Sequence, residues 1–150
     1  MTLDLRWLCK IGAFIVGSAL LSGCETNPVT GRTQVMIVSE EQAQSASAQA
    51  YAKTVTDARG KGKLDTNSAR TARVRAITNR LVAQAVRIVP ASATWQWQMH
   101  VIEDAGVNAW CMPGGKMAVY TGLINRVSPT DDELAQVIGH EISHALLQHG

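Results

Sequence analysis

His140-Glu141-Ile142-Ser143-His144, near the end of the 150-residue sequence, is the stretch on which the predicted fold and function depend. On a helix, two histidines spaced by four residues project from one face, one turn apart. Their ring nitrogens can then reach a single Zn²⁺ at about 2.0–2.1 Å. Glu141 lies about 100° further around the helix and can reach a water molecule without binding the metal. The pattern indicates metal-assisted hydrolysis, with His140 and His144 as metal ligands and Glu141 as the catalytic residue.

The residues before this motif predict where its helix begins. Pro129 fits the first helical position after a Ser128 N-cap, and Thr130 with Glu133 offers a second register as a capping box. On a helical wheel, only one narrow sector outside the motif is plainly polar. We therefore expect a helix that is buried on most sides, whose histidines and glutamate would lack partners without a metal.

A catalytic zinc normally has three protein ligands, and the sequence supplies two clear ones. His149 falls nearly opposite His140 on the wheel, so it cannot bind the same ion while the helix continues. His100 is expected to be a partly exposed strand residue, and Cys111 a half-buried structural thiol. We therefore expect the third ligand beyond residue 150 and interpret the chain as the N-terminal part of a longer protein.

Composition sets broad limits on the class of protein. The chain is 46% hydrophobic and 17% charged, which suits one globular domain with a modest core. Its formal net charge of +2 is too small to indicate nucleic acid as a partner.

The first residues are typical of an exported protein. A basic start and a short apolar run over residues 11–21 predict a signal peptide over residues 1–23, and the run is too short to span a membrane. Leu21-Ser22-Gly23-Cys24 resembles the bacterial lipobox, which predicts lipidation of Cys24 and a membrane anchor. The alternative is an ordinary signal peptide with a coincidental cysteine. Residues 24–38 are then an N-terminal extended segment, and residues 39–150 an incomplete metallopeptidase domain.

Two helices are predicted before the sheet. Ser39 with Gln42 forms a capping box for a helix that runs to about Ala58. A second helix covers Ala69–Val89 and carries an apolar stripe. The residues of the stripe are Val74, Ile77, Leu81, Ala85 and Ile88. Arg70, Arg73, Arg80 and Arg87 lie largely off it, as a solvated face or, alternatively, as a patch for anionic lipid.

The remaining segments predict strands. Thr94–Ile102 alternates as a strand with one buried side, and Pro113-Gly114-Gly115 suits a type II turn between Val107–Met112 and Lys116–Tyr120. Asn108, Ala109 and Trp110 would form a sheet edge to which an extended substrate can add as a further strand. The alternative is an ordinary hairpin without a role in substrate binding. The predicted fold class is α+β, with helices packed on a small antiparallel sheet.

Several stretches together carry a resemblance to a known family. They are Asn108-Ala109-Trp110, Pro113-Gly114-Gly115-Lys116, Tyr120-Thr121-Gly122-Leu123, Asp132-Glu133-Leu134-Ala135 and Gly139-His140-Glu141-Ile142-Ser143-His144, in that order. The chain resembles the gluzincin metallopeptidases that include the CAAX prenyl protease and bacterial heat-shock membrane proteases. With its lipobox, it is most similar to their periplasmic lipoprotein branch.

This resemblance implies a zincin-like active-site helix and a zinc-dependent metalloendopeptidase with one Zn²⁺ per site. It implies protein or peptide substrates, such as misfolded envelope proteins in quality control, and a lipid-anchored location in the bacterial periplasm, at the outer membrane. In the family the third ligand is a Glu on a later helix, and a further His assists the transition state. The alternative from another class is a zinc-stabilised chaperone or scaffold lipoprotein without catalytic activity.

Overall fold

The computed structural model describes the backbone of residues 24–26 and 33–35, and residues 39–147. The predicted signal peptide (residues 1–23) and His149 lie outside the described residues. The elements, in chain order, are β1 (Cys24–Thr26), β2 (Thr33–Val35), α1 (Glu40–Gly60), α2 (Ser68–Ile88), a 3-10 helix (Pro90–Thr94), β3 (Gln98–Ile102), β4 (Ala109–Met112), β5 (Lys116–Tyr120), α3 (Thr121–Val127) and α4 (Asp131–Leu146). β1 and β2 form a separate antiparallel pair. None of the described helices is both long and apolar enough to cross a membrane.

The first helix begins where its predicted cap places it. Ser39 Oγ accepts from the Gln42 backbone N–H, and the Gln42 side chain accepts from the Ser39 N–H, both at 3.2 Å. This confirms the predicted capping box of α1. The stripe of α2 is buried at three of its five positions, while its last residue, Ile88, is 67% exposed. α2 ends there, and the next residue, Val89, is the one that enters the core.

The main sheet has the strand order β3-β5-β4. β4 and β5 pair antiparallel, as the predicted hairpin requires, but β3 runs parallel to β5. The α+β class is therefore confirmed, while the sheet is mixed rather than antiparallel throughout. The physical reason is that the segment between β3 and β4 reverses the chain direction, and the hairpin then inserts β5 between these two strands.

The turn of the hairpin has the predicted type. Met112 O accepts from the Gly115 N–H at 3.1 Å, which closes a four-residue turn with Pro113 and Gly114 at its centre. Gly114 has φ +77°, and a type II turn requires a positive φ at its third position. The Pro-Gly pair therefore fixes the register of β4 against β5.

Helices cover both faces of the sheet. On one face Met117 and Val119 of β5 pack into a core with Ile77 of α2 and Ile138 of α4. On the other face Ala118 packs with residues that include Ala58 of α1. The predicted alternation of the Thr94–Ile102 segment is confirmed at Gln96 and Gln98, which are exposed, and departs from the prediction only at Ile102, which packs with Ala58 of α1.

The strand in this segment is also shorter than predicted. β3 begins at Gln98, since Pro90–Thr94 forms a 3-10 helix that places Trp95 in the core at 8% exposure. Trp97 packs against the same core, and its ring Nε1–H donates to Ser92 O at 3.0 Å. Both tryptophans thus serve core packing, as the alternation indicated.

Two of the five arginines of α2 bind carboxylates within the protein. Arg70 binds Asp65, whose side chain is 1% exposed. Arg73 binds Asp131 of α4. These two guanidinium groups therefore hold the structure together rather than forming a purely solvated face.

Candidate metal centre

The helix that carries the histidine motif, α4, begins at a different cap from the one that Pro129 suggested. Thr130 is the N-cap: its Oγ1 accepts from the Glu133 N–H at 3.3 Å, and the Glu133 carboxylate accepts from the Thr130 N–H at 2.8 Å. Ser128 instead ends α3 in a left-handed conformation, with φ +49°. The Ser128 register was wrong because an N-cap needs extended backbone.

An arginine of α2 holds the first turn of α4 in place. Arg73 Nε donates to Asp131 Oδ1 at 2.6 Å, and an Nη of the same side chain donates to Pro129 O at 2.6 Å. Sequence reasoning missed this contact, because 58 residues separate Arg73 from Asp131 and no local pattern connects them. Arg73 therefore sets the position of the motif helix relative to α2.

Only one face of α4 is buried. Leu134, Ile138 and Ile142 are at most 3% exposed, and they contact the core between α2 and the sheet. His140 is exposed, whereas Glu141 and His144 are half-buried. The expectation of a helix buried on most sides was wrong, because α2 and β4 cover α4 on one side and leave its motif sector accessible.

The two motif histidines converge on one point. Their Nε2 atoms lie 2.9 Å apart, and the rings are perpendicular with centroids 4.4 Å apart. In a tetrahedral zinc site with ligand bonds of about 2.0–2.1 Å, two nitrogens lie roughly 3.3 Å apart. The pair therefore fits two ligands of a zinc ion without any rearrangement of the helix.

Glu141 faces the hairpin next to this histidine pair. Burial, together with the negative charge of Glu141, raises the pKa of the Cys111 thiol on β4 to about 12. Cys111 is thus a half-buried, protonated thiol at neutral pH, in agreement with the expected structural role. The Glu141 carboxylate is therefore within electrostatic range of Cys111, on the helix that packs against β4.

β4 is an edge strand of the described sheet. Asn108 O accepts from the Tyr120 N–H at 3.0 Å, so Asn108 and Trp110 direct their backbone groups at β5 in the alternating antiparallel pattern. Ala109 and Cys111 consequently turn their N–H and C=O groups to the open edge. β4 is therefore the predicted sheet edge. Its outward backbone groups belong to Ala109 and Cys111, whereas the backbone groups of Asn108 and Trp110 face β5.

The other candidate ligands lie elsewhere. His100 is on the opposite face of the sheet, where its Nδ1 lies 2.7 Å from Tyr51 Oη. Within residues 39–147 and the two short N-terminal strands, no group of three or more His, Cys, Asp or Glu side chains could hold a metal. The described residues thus contribute two candidate metal ligands and one adjacent carboxylate.

A helix with H-E-x-x-H that packs beside the edge of a sheet is the arrangement of the zincin class of metallopeptidases. The profile of Peptidase family M48 matches residues 68–150, more than half of the chain. The chain belongs to this family, which confirms the resemblance drawn from the sequence motifs.

Several curated proteins are similar over most of the chain. "Metalloendopeptidase OMA1, mitochondrial" from Bos taurus is 31% identical over 125 residues, which cover 83% of this chain and 23% of the relative. The Homo sapiens protein of that name is 30% identical over the same shares. "Metalloprotease YcaL" from Escherichia coli is 29% identical over 141 residues, 91% of this chain and 53% of the relative. The chain thus spans about a quarter of the length of the two mammalian relatives.

Proposed function

We propose that the protein is a zinc-dependent metalloendopeptidase. The observation that carries this proposal is the convergence of His140 and His144 at 2.9 Å, on a helix that places Glu141 beside an open strand edge. Membership of Peptidase family M48 and the names of the curated relatives support the same activity.

The residues of this chain would have distinct roles in the reaction. His140 and His144 would hold the zinc through their Nε2 atoms, together with a glutamate of the kind that the family resemblance implies as third ligand. Zinc, when bound, supplies a Lewis acid that activates water at neutral pH. Glu141 would take a proton from the attacking water on its carboxylate and pass it to the leaving amine nitrogen. The peptide bond would break to give a new carboxyl group and a new amine, and Glu141 would again be a carboxylate.

The substrate would lie extended along β4. The outward N–H and C=O groups of Ala109 and Cys111 would form ladder hydrogen bonds with its main chain, which places a peptide bond beside Glu141. Asn108 and Trp110 would flank Ala109 in this stretch. Asn108 lies at its exposed start, and Trp110 is held in the sheet by its backbone pairing with β5. Backbone recognition of this kind suits protein substrates of varied sequence.

We further propose that the protein acts on envelope proteins, in quality control, from a lipid anchor. The support is the lipobox-like Leu21-Ser22-Gly23-Cys24 after a short apolar run, which would export the chain and attach acyl groups at Cys24. The expected location is the bacterial periplasm, at the outer membrane. Labelling of cells with radioactive palmitate should mark the wild-type protein but not Cys24→Ala, and label retained by that variant would contradict the anchor.

The decisive experiment is Glu141→Gln in the intact protein. The amide keeps the size of the side chain but cannot accept the proton of the attacking water, so zinc content should stay at one per chain while cleavage of casein disappears. Cleavage retained by the variant would exclude Glu141 as the general base. A wild-type protein that binds one zinc and unfolded protein, yet cleaves nothing, would instead favour the chaperone or scaffold alternative.

A further inference from the structure

A cleft on the face of the sheet opposite α4 has the composition of an anion site. It lies between α1 and β3 and has a volume of about 450 Å³, within the range of about 300–1,000 Å³ that is usual for small-molecule sites. We call it the α1–β3 cleft. Its polar lining includes Tyr51, Arg59, Gln96, Gln98, His100 and Lys116, and none of the described lining residues is Asp or Glu.

Lys116 is a buried cation in this cleft, and its burial needs a physical explanation. It is only 6% exposed, and its ammonium donates to the backbone oxygen of Gln96. Burial lowers the pKa of Lys116, and among the described residues no carboxylate raises it again. A buried cation is costly unless an opposite charge accompanies it, so an anionic group in the cleft would remove this cost.

The surroundings of Lys116 add positive potential. Arg59 lines the same cleft from α1. Burial lowers the pKa of His100, and the positive charges of Arg59 and Arg75 lower it further. His100 is also held in a fixed orientation: Tyr51 donates to Met117 O at 2.9 Å, so its hydroxyl oxygen accepts from His100 Nδ1. The cleft therefore combines a fixed polar floor, formed by Lys116, His100 and Tyr51, with the exposed guanidinium of Arg59.

We propose that the α1–β3 cleft binds a small oxyanion, a phosphate or carboxylate group of a ligand, through Lys116 and Arg59. The amides of Gln96 and Gln98 lie at its rim as additional donors, and the small apolar residues of α1 accommodate the rest of the ligand. The cleft is separate from the candidate metal centre, because Lys116 and His100 lie on the sheet face that α1 covers. The inference therefore does not depend on the proposed peptidase activity.

Calorimetric titration of the intact protein with inorganic phosphate, and separately with succinate, tests the proposal and distinguishes the two sources of the oxyanion. At constant ionic strength set with chloride, one or both anions should bind at one per chain. Lys116→Met should weaken binding at least tenfold, and Arg59→Gln about tenfold. Arg87→Gln, which removes an exposed arginine of α2 outside the cleft, should leave binding unchanged.

Two outcomes would overturn the proposal. One is that neither anion binds the wild-type protein. The other is that binding survives both cleft variants, as it would if phosphate bound a metal at His140 and His144 instead. If Lys116→Met does not fold, two other measurements test the proposal: anion binding by Arg59→Gln and the NMR signals of the His100 ring. These signals should shift when the anion is added. They should not shift if the anion binds outside the cleft.

Discussion

The Nε2 atoms of His140 and His144 face each other at 2.9 Å, one helical turn apart on the accessible sector of α4. Because both nitrogens point towards the same position, removal of either histidine leaves a single ligand on this helix. We expect His144→Ala to weaken zinc binding more than about 100-fold, since even partners that only orient metal ligands contribute about 10–100-fold. Zinc per chain, measured by mass spectrometry after gel filtration, checks this. His100→Gln should keep its zinc, and a zinc-replete His144→Ala protein would contradict the assignment.

The start of α4 depends on Thr130 rather than Ser128. Thr130→Ala removes the acceptor for the Glu133 N–H and should lower the free energy of unfolding by about 1 kcal/mol. Ser128→Gly should be neutral or stabilise by up to about 1 kcal/mol, because glycine adopts the left-handed conformation of this position without strain. Urea unfolding of both variants measures the difference. A larger loss for Ser128→Gly than for Thr130→Ala would restore Ser128 as the N-cap.

Two glycines differ in the space around them. A Cβ at Gly122 would lie 2.3 Å from Gly106 O and 2.4 Å from Ala105 O, so Gly122→Ala must displace backbone and should destabilise the protein by about 2–3 kcal/mol. A Cβ at Gly139 in α4 would lie 3.7 Å from Leu81 Cδ2, an ordinary contact. Gly139→Ala should therefore stabilise the protein by about 0.5–1 kcal/mol through helix propensity. Thermal unfolding should show a lower Tm for Gly122→Ala and a higher Tm for Gly139→Ala. Tm shifts of the same sign would contradict this prediction.

The ion pair of Asp65 with Arg70 predicts a pH dependence of stability. Arg70 donates two hydrogen bonds to this carboxylate, at 2.5 and 2.6 Å, and they lower the pKa of Asp65. A lowered folded-state pKa contributes stability above the unfolded pKa of about 3.9, and this contribution disappears as the pH falls through the folded value.

Asp65→Asn measures the size of this contribution. The variant should lose about 3 kcal/mol at pH 7, because it leaves the Arg70 guanidinium without its counter-charge. The loss should shrink below about pH 4, where Asp65 of the unfolded wild-type chain becomes protonated, and disappear below the lowered pKa of the folded state. Urea unfolding at pH 7 and at acidic pH checks both values. A loss that is equal at both would show that the charge of Asp65 is irrelevant.

Local patterns in the sequence predicted the parts of the fold that depend on neighbouring residues. The capping box of Ser39 and Gln42, the type II turn at Pro113-Gly114 and the helical spacing of His140 and His144 each involve groups at most four residues apart. Backbone sterics and short-range hydrogen bonds decide such features, so they can be read without knowledge of the tertiary structure. The α+β class and the family followed from the same kind of local evidence.

Tertiary structure decided what lies across the molecule. The sequence could not show that β3 runs parallel to β5, because strand pairing depends on which edges meet after the chain has turned. It could not pair Arg73 with Asp131, nor bring Lys116, Arg59 and His100 to one cleft, since these contacts join distant segments. The H-E-x-x-H spacing alone determined the two converging imidazoles. Packing of α4 against α2 and β4 decided that they face an accessible surface, with Glu141 beside an open strand edge.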